Sequence, residues 1–372
     1  MKNKERLASL DILRGFDLFC LVCFQPILVH LLYIVDNPSL APVMYQFDHV
    51  KWEGFSFWDL IMPLFLFMSG ITIPFAYARF KTGAEPLSAF RHKIIKRFCW
   101  LFFLGWIVQG GLLSLNIHQF HPLANTLQSI AIGYVPAALC FVFFSFRKQV
   151  LTAIGCFAAY FLVFLTLGHN DFTPEGNIAE LIDRAVLGSF RDGVIWHDGT
   201  WSFNPDYTYT WVLSSLNFIV TVMLGSFAGH ILKQKETPAL KRFRNLFLIG
   251  IALVAGGLLL SPFHPIIKRI WSSSMTLYSG GLCFLLMAVF YYVIDIKKWS
   301  HGLEWLKIYG MNSIVAYVIA ETINFRSIGN SVFYGLEQYL GDFYPLVGTI
   351  FNFGVVFYIL HHMYKHQVFV KI

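Results

Sequence analysis

The sequence is poor in charged side chains: only 13% of its 372 residues are Asp, Glu, Lys or Arg. A soluble protein usually carries about 25%, so half that density cannot cover the water-exposed surface of a globule of this size. Hydrophobic residues make up 56% of the chain and aromatic residues 18%. Because the acyl interior of a bilayer accommodates such a surface, the composition predicts a polytopic membrane protein rather than a soluble enzyme.

The sequence also lacks the signals of several other classes of protein. Its six cysteines lie in apolar segments, and the CxxC pair Cys20 and Cys23 has no second pair, which argues against a metal or redox site. The net charge is +7, but the basic residues lie between long apolar runs, so we expect no nucleic-acid partner. The first apolar run has no small-residue cleavage site, so we expect an anchor rather than a cleavable signal peptide.

Apolar segments of about 20 residues, the length that a bilayer-spanning helix needs, recur along the chain. We therefore predict an all-α fold with about ten transmembrane helices in one bundle, forming a single transmembrane domain over residues 1–372. The predicted spans are 12–34, 57–78, 97–115, 125–146, 149–168, 209–232, 245–261, 273–295, 305–324 and 343–364.

Most of the 28 lysines and arginines fall in alternate loops, which the positive-inside rule assigns to the cytoplasm. This bias predicts that both termini are cytoplasmic, and we expect the chain in a bacterial inner membrane. Few cations remain on the predicted outer side: Lys51, Arg184, Arg191, Lys268, Arg269 and Arg326.

The longest predicted outer loop covers about residues 169–208 and is acidic. Its acids are Asp171, Glu175, Glu180, Asp183, Asp192, Asp198 and Asp206. They form either a vestibule that attracts a cationic ligand or, as the simpler interpretation, an ordinary solvated loop. We find no internal repeat, which weakens a transporter function, because many transporters consist of two related halves.

Ionisable and amide side chains within predicted spans are costly to insert and are functional candidates for that reason. Asp11 and Arg14 are three residues apart in the first span, so they share one helix face and can pair near its cytoplasmic end. The pair either seats the helix at the interface or faces a ligand. Asn312 in the ninth span is either an interhelical hydrogen-bonding residue or a donor to a ligand.

His49 lies just outside the second predicted span, and Asp59 follows ten residues later in the first turn of that span. A histidine titrates near neutral pH and can accept a proton from an attacking amine, while a nearby carboxylate fixes its tautomer. The spacing alone does not single out this histidine, because others also lie near predicted membrane borders: His30, His118, His121 and His264.

Several short motifs, taken in order, make the sequence recognisable. They are Arg6-Leu-Ala-Ser-Leu-Asp-Ile-Leu-Arg-Gly15, the stretch from His49 to Gly70, Leu127-Gln-Ser-Ile-Ala131, Phe203-Asn-Pro-Asp206, Leu224-Gly-Ser-Phe-Ala-Gly229, Lys268-Arg-Ile-Trp-Ser-Ser-Ser274 and Tyr309-Gly-Met-Asn-Ser313. Together they resemble the heparan-alpha-glucosaminide N-acetyltransferase family with its bacterial homologues, within the transmembrane acyltransferase superfamily. The resemblance extends over nearly the whole chain.

The resemblance implies roles for individual residues. It identifies His49 with the active-site histidine of the family and Asp59 with the family's acidic residue. Gln25 stands where the family has an asparagine near the outer end of the first helix, so the amide is kept on a longer side chain. The other residues expected to bind substrate or cofactor are Asp11, Arg14, Asn204, Asp206, Lys268, Trp271, Ser274 and Asn312.

The resemblance further implies a membrane-bound acetyltransferase that moves acetyl from acetyl-CoA to the amine of a glucosamine-type sugar at the outer face. His49 would be either the general base or a transient acetyl carrier. We expect acetyl-CoA, an amino sugar or glycan acceptor and the lipid bilayer as partners, and no metal. A homodimer is left open.

Two other functions compete with this one. An O-acyltransferase of cell-envelope glycans would also open with an Asp-x-x-Arg-Gly-like run, but its usual arginine-to-histidine spacing is missing, since the first histidine after Arg14 is His30. The other is a transporter or another non-enzymatic membrane protein.

Overall fold

A computed structural model describes residues 7–35, 37–204 and 206–370, so Arg6, where the first motif begins, lies outside the described residues. The first half of the chain forms α1 (Ala8–Phe19), α2 (Gln25–Val35), α3 (Ala41–Gln46), α4 (Ile61–Ile71), α5 (Ile73–Lys81), α6 (Leu87–Val108), α7 (Thr126–Phe143), α8 (Phe146–Thr166) and α9 (Ile178–Leu187). A hairpin of β1 (Val194–His197) and β2 (Thr200–Phe203) follows.

The second half of the chain is again helical. It forms α10 (Ser215–Lys233), α11 (Ala239–Leu260), α12 (Ser273–Phe290), α13 (Glu304–Met311), α14 (Ser313–Thr322), α15 (Phe325–Val332), α16 (Glu337–Leu340) and α17 (Tyr344–Lys365). The prediction of a mostly helical chain is confirmed. The hairpin is an addition that the sequence did not predict; its strands are antiparallel, with Val194 opposite Phe203.

Within the described residues, eight helices are long and apolar enough to cross a membrane. They are Ala8–Val35, Phe57–Lys81, Thr126–Phe143, Phe146–Thr166, Ser215–Lys233, Ala239–Leu260, Ser273–Ile296 and Tyr334–Lys365. The two other predicted spans differ from these helices. The span predicted at 97–115 corresponds to α6, which starts ten residues earlier and has four basic residues in its first half. The span predicted at 305–324 is divided into α13 and α14 at Asn312. The count of ten and the cytoplasmic termini stay predictions.

The contacts divide the chain into two compact units. Of the described residues, the first unit contains those up to His49, the turn Ser56–Ile61 and residues 289–370; the second contains Val50–Phe55 and the described residues from Met62 to Ala288.

In the first unit, α1 and α13 cross at two glycines. A Cβ atom on Gly15 would lie 1.8 Å from the carbonyl oxygen of Leu306, and one on Gly310 would lie 1.7 Å from that of Asp11. Small residues of this kind let membrane helices approach backbone to backbone. The crossing therefore explains why the opening motif ends in glycine and why a second glycine precedes Asn312.

The first span is not a uniform α-helix. Residues Cys20–Phe24 form a π-helical turn, in which the backbone N–H of Gln25 donates to the carbonyl of Cys20. Pro26 follows directly, and a proline inside a helix has no N–H to donate and clashes with the carbonyl four residues earlier. The widened turn relieves this clash and sets the direction of the helix from Gln25 onward.

In the second unit, α10 is the central helix and packs against α5, α7 and α8. It also meets α4 closely, because a Cβ atom on Gly225 would lie 2.0 Å from the carbonyl oxygen of Phe67, and one on Gly229 would lie 2.4 Å from that of Ile71. The two glycines are four residues apart on one helix face. The motif from Leu224 to Gly229 is thus a helix-packing motif.

We expect Gly225→Ala to lower the free energy of unfolding by about 1–3 kcal/mol, because the added methyl group meets a backbone oxygen that cannot rotate away. Gly155→Ala in α8 is the matched control: a Cβ atom there has no neighbour within 4 Å, so the change should be neutral or slightly stabilising. Thermal unfolding in detergent measures both variants, and equal melting temperatures would contradict the close approach of α4 and α10.

Candidate active site

The imidazole of His49 is paired with a buried carboxylate in the first unit. Nδ1 of His49 lies 2.8 Å from Oδ1 of Asp59. The side chain of Asp59 is 1% exposed, whereas that of His49 is 53% exposed. The pair therefore joins an anchored acid to a ring that a ligand can reach, as the predicted pairing of these two residues requires.

Asp59 is held by Ser56, which the sequence analysis did not single out. The backbone N–H and the hydroxyl of Ser56 donate to the second carboxylate oxygen of Asp59, at 3.1 and 3.0 Å. The same hydroxyl lies 2.7 Å from the carbonyl oxygen of Asp48 and can donate to it instead. Ser56-x-x-Asp59 is a capping-box spacing at the start of a helix, and this signal would have identified Ser56.

This geometry fixes the tautomer of His49. An ionised carboxylate only accepts hydrogen bonds, so Nδ1 carries the proton in the bond to Asp59. The lone pair is then on Nε2, the nitrogen on the other side of the ring. The arrangement suits a group that accepts a proton or an acyl group at Nε2 while Asp59 stabilises the positive charge that results.

Gln25 lies close to the chain segment that carries His49. Its side-chain Nε2 donates to the carbonyl oxygen of Phe47 at 3.1 Å, and Phe47 is two residues before His49. The π-helical turn ahead of Gln25 orients this side chain. The structure therefore brings together three of the predicted site residues, His49, Asp59 and Gln25.

The predicted pair at the start of the first helix lies apart from this group. Asp11 and Arg14 precede Gln25 by 14 and 11 residues on one continuous helix, which corresponds to roughly 16–21 Å along its axis. Asp11 is buried at the crossing of α1 with α13, and Arg14 is half-buried.

Asn312 uses its amide on the C-terminal segment of the chain. Its Nδ2 donates to the carbonyl oxygen of Val368 at 3.1 Å, and its Oδ1 accepts from the backbone N–H of Val370 at 3.0 Å. Both contacts are of the hydrogen-bonding kind expected for an amide in a membrane helix. The geometry thus gives Asn312 a structural role, because its amide ties the junction of α13 and α14 to the non-helical segment that follows α17.

Three further predicted residues lie in the second unit, Lys268 and Trp271 in a turn and Ser274 at the start of α12. Lys268 is 7% exposed, and Trp271 and Ser274 are fully buried. Trp271 has a positive φ of 50°, an unusual backbone for a bulky residue. Hydrogen bonds hold it there: its indole N–H donates to Thr221, and its carbonyl accepts from Asn217. Such strain often marks functional sites, although these contacts also give the turn a structural role.

Asn204 and Asp206 lie beside this turn, in the same unit. The Asn204 side chain accepts from the backbone N–H of Asp206 at 2.9 Å. The carboxylate of Asp206 is 86% exposed and lies 3.8 Å from the guanidinium of Arg269, which follows Lys268 in the chain. The structure therefore brings some of the predicted residues into two groups, one in each unit, whereas Asp11, Arg14 and Asn312 belong to neither group.

The acidic loop over residues 169–208, predicted to lie on the outer side, contains a buried ion-pair network that sequence reasoning missed. Arg191, 1% exposed, donates to Glu180 and also forms ion pairs with Asp183 and Asp192. These three acids are themselves buried, so the interpretation of the loop as an ordinary solvated segment is wrong for them. Asp183 also accepts the backbone N–H groups of Trp211 and Val212, at 2.6 and 2.8 Å.

Residues 6–181 match the family described as Heparan-alpha-glucosaminide N-acetyltransferase, catalytic. The Heparan-alpha-glucosaminide N-acetyltransferase of Homo sapiens is 24% identical over 372 aligned positions, covering 84% of this chain and 52% of the relative. That of Mus musculus is 26% identical over 339 positions, covering 75% and 50%. The family resemblance is confirmed.

The match has a defined extent. The chain spans about half the length of the curated relatives it matches. The family match includes His49, Asp59 and Gln25, whereas the segment from Lys268 to Ser274 and Asn312 lie beyond its last residue, 181. Among the residues that the structure describes, no group of three or more His, Cys, Asp or Glu side chains could hold a metal ion.

Burial raises the pKa of Asp183 to about 6, against the lowering effect of Arg191 and of the two backbone N–H groups. Because the unfolded chain loses this proton nearer pH 4, folding takes up a proton between these values. The contribution of Asp183 to stability is therefore present below about pH 4 and is lost as pH rises through about 6, by at most about 3 kcal/mol.

The measurement is the difference in unfolding free energy between the natural protein and Asp183→Asn, taken from pH 4 to 7. We expect this difference to fall as pH rises and then to become level. A difference that is independent of pH, or that grows with pH, would show that Asp183 is ionised throughout.

Proposed function

We propose that this protein is a membrane-bound acetyltransferase that moves an acetyl group from acetyl-CoA to the amine of an amino sugar at the outer face of the membrane. The observation that carries the proposal is the bond between Nδ1 of His49 and the buried Asp59. It supplies a proton acceptor with a fixed tautomer on a reachable ring. The similarity to proteins named heparan-alpha-glucosaminide N-acetyltransferase supports the choice of reaction.

In the direct route, the amine nitrogen attacks the thioester carbonyl while Nε2 of His49 removes the amine proton. The C–N bond forms, the C–S bond breaks, and the imidazolium returns the proton to the departing CoA thiolate. Asp59 stays ionised and stabilises the imidazolium between these steps. The net products are the N-acetyl sugar and free CoA.

In the covalent route, Nε2 of His49 attacks the thioester first and releases CoA. The sugar amine then attacks the acetyl-imidazole: the new C–N bond forms, the bond between Nε2 and the acetyl carbon breaks, and the freed Nε2 takes up the amine proton and passes it to solvent, where the CoA thiolate is protonated. The same bond to Asp59 supports this route, because it leaves Nε2 as the nucleophilic nitrogen and disperses the charge on the acylated ring.

Both routes pass through an oxyanion on the former carbonyl oxygen. A positioned hydrogen-bond donor there typically contributes several kcal/mol. We assign this role to Gln25 rather than Asn312. The amide of Gln25 already contacts the segment that carries His49, whereas both polar atoms of the Asn312 amide bond to residues 368 and 370.

We expect His49→Ala to reduce acetyl transfer by at least about 100-fold, since a positioned acid–base group contributes 10²–10⁴-fold. The assay incubates purified protein with labelled acetyl-CoA and a panel of amino sugars, and mass spectrometry detects the product. His118→Ala, which removes another exposed histidine, should retain activity within about twofold.

Unfolding temperature and CoA binding of the His49 variant must match those of the natural protein for this result to count. Unchanged transfer by a folded His49→Ala protein would remove His49 from the role. Acetyl-histidine recovered at residue 49 in the absence of acceptor would select the covalent route over the direct one.

We expect Asp59→Asn to lower kcat by roughly 100-fold while KM changes little, because an amide cannot stabilise the imidazolium and favours the other tautomer. Asp48→Asn is the matched control. Its side chain accepts from the backbone N–H of His49, not from the ring, and an asparagine oxygen keeps that bond. Equal losses in the two variants would argue that the carboxylates act only through local charge.

A further inference from the structure

A polar cavity of about 550 Å³ opens in the first unit, beside α15. Its size falls in the range of small-molecule sites. It is lined by Asn324, Arg326, Ser327, Asn330, Ser331, Tyr334 and Tyr344. Amides, hydroxyls and tyrosines surround a single formal charge, that of Arg326, and no carboxylate lines the cavity.

A second cavity of about 380 Å³ shares Asn324 and Arg326 with the first. It is also lined by Leu21 and Val22 from the π-helical turn of the first span and by the carboxylate of Glu321, which interacts electrostatically with Arg326. Arg326 therefore lines both cavities. We call them together the Arg326 cleft.

The guanidinium of Arg326 differs from the other arginines of the predicted outer side. Arg191 and Arg184 are bound to Glu180, and Arg269 lies near Asp206. Across the described parts of the chain, the exposed side chain of Arg326 makes no hydrogen bond or ion pair. An arginine fork of this kind matches the geometry of a carboxylate, sulfate or phosphate.

The wall of the cleft is held in place by its own hydrogen bonds. The side chain of Asn324 accepts from the backbone N–H of Ser327 and begins α15. The hydroxyl of Ser331 donates to the carbonyl of Ser327, and that of Tyr344 donates to the carbonyl of Asn330. The cleft is therefore a formed site and does not depend on a ligand to assemble it.

The cleft adjoins the candidate active site through the first span. The turn that contributes Leu21 and Val22 leads directly to Gln25, whose amide bonds to Phe47, two residues before His49. A ligand that occupies the cleft therefore lies against the same helical turn that orients Gln25. This connection makes the cleft a candidate for the part of a substrate that does not react.

We infer that the Arg326 cleft binds an acidic sugar unit, with Arg326 on its carboxylate, sulfate or phosphate group. The amides and hydroxyls of the cleft suit sugar hydroxyls, and Tyr334, 70% exposed on the rim, offers a ring face. As a statement about the acceptor, this inference rests on the proposed function. It makes Arg326 a specificity-determining residue that favours acidic over neutral amino sugars.

The test uses binding, because binding does not depend on catalysis. The probe is N-acetylglucosamine 6-phosphate, which has no free amine, titrated into the purified full chain by isothermal titration calorimetry. We expect saturable binding that Arg326→Gln weakens by about tenfold or more and Arg326→Lys weakens less. Arg147→Gln, which removes an exposed charge elsewhere, is the matched control and should bind as the natural protein does.

Three further titrations distinguish the sources of the anion. N-acetylglucosamine should bind at least tenfold more weakly than N-acetylglucosamine 6-phosphate. Tyr334→Ala should weaken the binding of the sugar phosphate but leave the binding of inorganic phosphate unchanged. Inorganic phosphate that binds as tightly as the sugar phosphate would overturn the sugar part of the inference. CoA that displaces the probe in an Arg326-dependent manner would assign the cleft to the CoA phosphates and overturn it as well.

Failure of the inference and failure of the proposed function give different results. If the probe binds equally to Arg326→Gln and to the natural protein, the inference that the cleft binds an acidic sugar is overturned, whatever the transfer assay shows. Arg326-dependent binding without acetyl transfer to any amino sugar supports the cleft and rejects the acetyltransferase. When transfer occurs, Arg326→Gln should raise KM about tenfold for glucosamine 6-phosphate and less than twofold for glucosamine.

Discussion

The proposed chemistry depends on one buried carboxylate, that of Asp59. An ionised acid at the start of an apolar helix is costly to bury unless hydrogen bonds replace the water it loses. Asp59 has these bonds: the backbone N–H of Ser56 donates to one oxygen, which the Ser56 hydroxyl also reaches, and the ring of His49 donates to the other. Because each oxygen of Asp59 accepts a hydrogen bond, the carboxylate cannot rotate without losing one. The fixed carboxylate in turn orients the imidazole of His49.

The pairing of His49 with Asp59 was predicted from the sequence once the resemblance to a family had singled out His49, and the spacing of the two residues is compatible with it. His49 and Asp59 flank a short turn, so a ten-residue separation is enough for their side chains to meet, and the helix that begins after Ser56 fixes one partner. The four-residue spacing of Gly225 and Gly229 likewise indicates that both lie on one helix face, where another helix can approach closely. In both cases the interaction is encoded within one segment or one helix face, which sequence periodicity describes directly.

The burial of charged residues could not be predicted in the same way. Composition left the acids of the 169–208 loop as either a vestibule or a solvated segment, yet Glu180 and Asp183 are buried together with Arg191 from the same loop. From the sequence, the amide of Asn312 could equally bind a ligand; in the structure, both of its polar atoms form hydrogen bonds with the C-terminal segment. The difference lies in tertiary pairing, which decides whether a polar residue is structural or available.

The contrast between His49 and Asp59 also explains why one pair suits either route of acyl transfer. A base that exchanges a proton with two different substrates needs a reachable nitrogen, and half of the His49 side chain is exposed. A nucleophile that carries an acetyl group needs the same nitrogen unprotonated. Both requirements concern Nε2. The hydrogen bond from Nδ1 to Asp59 meets both, because it keeps the proton on Nδ1 and leaves Nε2 unprotonated. Selection for either mechanism would therefore preserve the same buried acid, and the choice between them lies with the order in which thioester and amine arrive.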